Sequence, residues 1–168
     1  MESKDLLKLR RAIGFISILI IPVCLLFNLW GIPWVQGRIN SYSAFYWSNA
    51  RNLFVGGITF LSIIYCLYPG YAWYDRLVNI ITAILMYAVI VFPCWNPDLI
   101  ANEFIRNFDL FPKMDGSLSN NFHGWVGTFN LLTQVLNVGL LFTKHDGPMT
   151  KQKKIRNIIY YVCSGIVL

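Results

Sequence analysis

From residue 116 to residue 143 the chain carries no Asp, Glu, Lys or Arg. Laid on a helix, His123, Gly127, Asn130, Gln134, Asn137 and Leu141 recur at alternating steps of four and three, which places them on one stripe. Trp125, Val126, Phe129, Leu131, Leu132, Leu136, Leu140 and Phe142 cover the other faces. A helix of this length can cross a bilayer. Its amides must then turn toward protein or water, because unsatisfied amides are costly in hydrocarbon. The pattern predicts a bundle member with a polar seam facing inward.

The same reading gives five apolar runs. Residues 12–34 follow a basic start containing Lys4, Lys8, Arg10 and Arg11. This run is long for a signal sequence and no small-x-small cleavage site follows it, so it reads as a retained first span. Pro22 predicts a kink that a membrane helix tolerates, and Trp30 and Trp34 suit the far interface. Residues 52–68 form a second run, in which Gly56 and Gly57 allow close backbone approach. Pro69-Gly70 ends it. Residues 77–95 form the third. Asp75, Asn79, Thr82 and Met86 make a second, shorter seam on it, and Pro93 and Pro97 close it. Residues 121–143 are the fourth run and 157–168 the fifth. At 1.5 Å per residue the fifth reaches only ~18 Å, short of a ~30 Å hydrocarbon core. Either it half-crosses or the chain continues beyond Leu168, and continuation is the preferred expectation.

Of the connectors, residues 35–51 are rich in Ser, Asn, Tyr and Trp and suit a bilayer interface. Residues 101–111 read either as a short interfacial amphipathic helix or as a surface loop. Residues 144–156 are the most basic stretch. The expectation is a single all-α domain over residues 1–168, a polytopic transmembrane helical bundle of about five spans.

Composition sharpens this. The chain is 56% hydrophobic and only 13% charged, where soluble domains carry about 25% charge. The net charge of +6 raises the question of nucleic acid. The basic residues, however, sit at span ends where topology places them, so no nucleic-acid partner is expected. With the N-terminus in the cytoplasm, the inner segments hold about ten of the Lys and Arg and the outer ones about four. That orientation in the cell inner (plasma) membrane is the expectation. Cys24, Cys66, Cys94 and Cys163 each lie in an apolar run and form no Cys-x-x-Cys pair. They read as small buried side chains, not as a disulfide framework or zinc site.

The ordered set Ser43-Ala44-Phe45-Tyr46, Arg51-Asn52-Leu53-Phe54-Val55-Gly56-Gly57, Pro69-Gly70-Tyr71, Tyr74-Asp75-Arg76, Asn79, Phe92-Pro93 and Asn121-Phe122-His123 covers most of residues 41–144. It resembles a family of uncharacterised bacterial multi-pass membrane proteins of unknown function. The resemblance implies a bundle of about five or six spans and no activity. The family's chain usually continues through the last span.

Two clusters could carry chemistry. In the outer one, Arg51 cannot lose its charge and wants a carboxylate, phosphate or carbonyl. His123 can serve as acid, base or ligand. With Ser43, Tyr46 and Asn52 they outline a pocket for a lipid headgroup or small amphiphile, or else an interfacial anchor. In the inner one, Asp75 and Arg76 read as a turn pair or as a helix cap. The Asn79, Asn130, Gln134 and Asn137 seam is interhelical glue or a polar conduction path, without the intramembrane carboxylates of a proton relay. Ser, Asp and His on a membrane bundle also show a weak similarity to the superfamily of alkaline ceramidases and hemolysin-like receptors, which hold zinc with several His. Only His123 and His145 exist here, on opposite sides in the expected topology. No three-His site can form, and no metal or cofactor is expected.

Three functions therefore stand: a non-enzymatic membrane protein binding a lipid, amphiphile or membrane partner (a homo-oligomer included), a small-solute transporter or channel subunit, and an intramembrane lipid hydrolase using Ser43 and His123. The first is preferred.

Overall fold

The computed structural model describes residues 3–30, 41–94, 116–145 and 147–167. These residues are all-α. Helix α1 is Ser3–Trp30, α2 is Arg51–Leu67, α3 is Trp73–Val91, α4 is Gly116–Leu136 and α5 is Lys151–Val167. A 3-10 turn, Tyr42–Trp47, leads into α2, and α4 runs on as a π turn, Asn137–Leu141. Residues 95–115, with the expected interfacial helix, lie outside the described residues, as does Trp34.

Helix α1 continues through Pro22. It starts well before its apolar run, as does α5, because Lys, Arg and Gln are good helix formers and carry the helix into polar sequence. Helix α2 ends at Leu67 and the chain turns at Gly70, whose φ of +69° suits a residue without Cβ. A Cβ there would also collide with Asp75. Asp75 starts α3: its Oδ2 accepts from the backbone N–H of Tyr71 at 3.0 Å and of Ala72 at 3.2 Å. It thereby satisfies donors that a helix start leaves open.

Consecutive helices pack on one another: α1 on α2, α2 on α3, α3 on α4, and α5 against α4 and its π turn. At Gly57 the absent side chain admits Ile20 of α1, 3.0 Å from where a Cβ would stand. At Gly139 the π turn meets Ser164 of α5, whose Oγ is 2.9 Å from that point. Side-chain bonds fix which ends meet. Arg10, Tyr68, Asp75, Phe142, Lys144 and Lys153 join at one end, the basic end. Trp47 Nε1 donates to the Cys94 carbonyl at 2.7 Å, and His123 bonds the Phe92 carbonyl, at the other, aromatic end.

Several polar side chains are fully buried beside the apolar core, while many large apolar ones face outward. Asp75, Asn79, Thr82 and Asn137 have no exposed surface, whereas Ile18, Trp73 and Ile166 are each more than 70% exposed. Phe15, Leu26, Phe60, Ile84, Trp125 and Phe129 also face outward. Among the described residues, two helices are long and apolar enough to cross a membrane, Leu7–Asn28 within α1 and all of α3; α2 is apolar but shorter, at 17 residues. The cysteines divide. Cys24 is buried and Cys94 half-buried, but Cys66 and Cys163 are exposed, against the expectation that all four pack inside. Both lie on outward helix faces, where a thiol behaves as a small apolar group.

Candidate functional site

At the aromatic end, the 3-10 turn presses Phe45, Tyr46 and Trp47 into the bundle. Tyr42, Phe45 and Phe54 pack as a ring cluster. Arg51 opens α2, and its Nη2 donates to the Tyr46 hydroxyl at 2.6 Å. Its guanidinium also lies 4.3 Å from the centre of that ring, a favourable seat for a cation. Ser43 is half-buried and Asn52 is exposed. His123 Nδ1 lies 2.7 Å from the Phe92 carbonyl. A carbonyl only accepts, so Nδ1 carries the proton in this contact. No hydrogen bond joins Ser43 to His123 among the described residues. The structure thus joins Tyr46 with Arg51, while Asn52 belongs to a different feature. It lines an open groove of about 420 Å³ between α1 and α2, with Phe15, Leu19, Val23, Gly56 and Phe60.

The seam residues tie helices together. Asn79 Nδ2 donates to the Tyr68 carbonyl at 3.3 Å, across the α2–α3 turn. Asn137 Nδ2 donates to Thr82 Oγ1 at 2.8 Å and to the Thr133 carbonyl at 3.1 Å, linking α4 to α3. Asn130 and Gln134 are half-buried. Ser62 of α2 donates to the Ala83 carbonyl of α3 at 2.8 Å.

The densest polar cluster lies at the basic end, built largely from residues that sequence reasoning counts as topology charges. Arg10 of α1 is 7% exposed. Its Nε donates to the Tyr68 hydroxyl at 2.7 Å, and its Nη1 to the carbonyls of Phe142 at 3.0 Å and Lys144 at 3.3 Å. Lys153 of α5 is 6% exposed and donates to the same two carbonyls, at 2.9 and 3.2 Å. Two cations thus cap the end of α4, where the helix dipole is negative. Lys144 pairs with Asp75 and lies over the Tyr74 ring. Partial burial pushes the Lys144 ammonium down, but bonding to Asp75 and Tyr74 outweighs it and holds the group above the usual lysine range. The sequence does carry a signal for this centre. Lys153, Asn157, Tyr160 and Ser164 recur at steps of four, three and four, a polar seam on α5 like those on α3 and α4.

Among the described residues no three His, Cys, Asp or Glu side chains gather where they could hold a metal ion. No family model, no curated protein and no solved structure matches this chain.

Proposed function

We propose that the chain is a five-span membrane protein, N-terminus inside, that binds a lipid non-catalytically, seating one acyl chain in the α1–α2 groove in the outer half of the bilayer. The groove carries the reading. Its wall is apolar apart from Asn52, and it opens between outward faces that hydrocarbon alone covers without cost. Asn52 and the neighbouring Arg51 stand at its outer rim, within reach of a lipid's polar region. Helix α2, at 17 residues, makes ~26 Å, close to a ~30 Å hydrocarbon core. The outward apolar faces and the amides bonded between helices support the same placement, since that is the packing expected in lipid. The seam supports packing over conduction, because Asn79, Thr82 and Asn137 have no exposed surface.

The test is native mass spectrometry of the full chain, wild type beside Gly56→Leu. A Cβ at Gly56 meets nothing within 4 Å, so leucine fills the groove without disturbing the helices. The wild type is expected to retain a lipid that the variant loses, with equal helicity by circular dichroism. Equal retention, or no retained lipid in either, refutes the groove.

A further inference from the structure

The basic end holds a second cavity, of about 120 Å³, between the start of α1, the α2–α3 turn and the start of α5. That is several times the space one water needs. Arg10, Lys153 and Arg156 line it, with His145, Tyr71 and Tyr160. No carboxylate lines it among the described residues. Asp75, on the adjoining turn, spends one oxygen on Lys144 and the other on the N–H groups of Tyr71 and Ala72.

Capping α4 accounts for part of this charge and leaves the rest unanswered. Arg10 Nη2 is buried without a partner, and so is Arg156 Nε. Lys153 has three ammonium protons and bonds two carbonyls. Crowding these cations is costly: burial first, then Arg10 and Arg156, pushes Lys153 down to about 8. Unsatisfied buried donors on charged groups are equally unfavourable. A bound anion offsets the crowding of these cations.

We propose that this cavity is a binding site for a phosphate group, held by the guanidinium groups of Arg10 and Arg156 and by the Lys153 ammonium that line it. Phosphate fits this donor set. Several oxygens suit donors arriving from two helices, and guanidinium groups match phosphate in geometry and charge. Chloride offers no directional acceptors. The phosphate can belong to a lipid headgroup or to a soluble phosphate compound, and both occur at the basic face of a membrane bundle. The inference stands apart from the α1–α2 groove, which lies toward the other end.

The experiment uses the full chain in a neutral detergent. Its melting temperature is followed against inorganic phosphate and, separately, against dioctanoyl phosphatidic acid, with sodium chloride at matched ionic strength as reference. Arg156→Gln is the informative variant. Arg156 makes no hydrogen bond among the described residues, so the change breaks none and relieves repulsion on Lys153. The wild type is expected to show saturable stabilisation beyond chloride. Arg156→Gln is expected to need at least about tenfold more of the same probe, while melting in chloride at or above the wild-type temperature. Stabilisation by phosphatidic acid alone assigns the phosphate to a lipid, and stabilisation by inorganic phosphate assigns it to a soluble source; either supports the site. Phosphorus NMR of the wild type gives a check that needs no variant, since the resonance of the bound probe must broaden as protein is added. An equal response in Arg156→Gln, or no stabilisation and no broadening with either probe, overturns the proposal.

Discussion

Lys153 shows how one residue carries two opposed demands. Its aliphatic stem is buried, and its ammonium closes the end of α4 through the Phe142 and Lys144 carbonyls. It also faces Arg10 from α1, Arg156 on its own helix, Tyr71 from the α2–α3 turn and His145 from the α4–α5 turn. Burial and the two arginines hold its pKa near 8, below the ordinary 10.5. The folded chain therefore sheds this proton at a pH where the unfolded chain still binds it. Between roughly pH 8 and 10 stability rises with pH. In phosphate-free buffer the wild-type melting temperature should climb by a few degrees from pH 7.5 to 9.5. Lys153→Met should flatten that climb, and a wild-type slope no steeper than the variant's would refute the assignment.

Among the elements, the contact between the π turn and α5 is the tightest that depends on a missing side chain. A Cβ at Gly139 would stand 2.9 Å from Ser164 Oγ and 3.3 Å from its Cβ, so Gly139→Ala must turn the Ser164 hydroxyl aside and ease α5 outward by a few tenths of an ångström. A cost of about 1–3 kcal/mol is expected, as for overpacking elsewhere. Thermal melts should show Ser164→Gly restoring most of it in the double variant, whereas additive losses would place the strain elsewhere. Helices α3 and α5 also mark what sequence can show. The four-and-three rhythm of Asp75, Asn79, Thr82 and Met86 is legible because apolar residues flank it on both faces. The same rhythm in Lys153, Asn157, Tyr160 and Ser164 is hidden, because the fifth apolar run begins only at Asn157 and Lys153 then counts as a loop charge. A cation at a membrane-helix end can orient the chain or plug a helix terminus, and spacing alone does not separate the two. The α1–α2 groove was equally illegible, since it depends on where Gly56 faces and not on its identity.

At the scale of the whole molecule, the five-span reading places Ser41 and Thr150 on opposite sides of the membrane. In intact cells a membrane-impermeant maleimide should label Ser41→Cys, and should label Thr150→Cys only after lysis. The reverse pattern would invert the bundle. On the same reading the two exposed background thiols, Cys66 and Cys163, lie within the bilayer, which such a reagent does not enter. The Arg10 bonds carry a consequence for how the protein is made. The Phe142 carbonyl lies 132 residues further along the chain. On the five-span reading, the first helix enters the membrane before the Phe142 and Lys144 carbonyls that its guanidinium bonds have been synthesised. Until the fourth helix arrives, that group has only the Tyr68 hydroxyl of its three partners, and water at the bilayer surface supplies the rest. Synthesis order thus sets the first helix, on the five-span reading, to be inserted early and docked late.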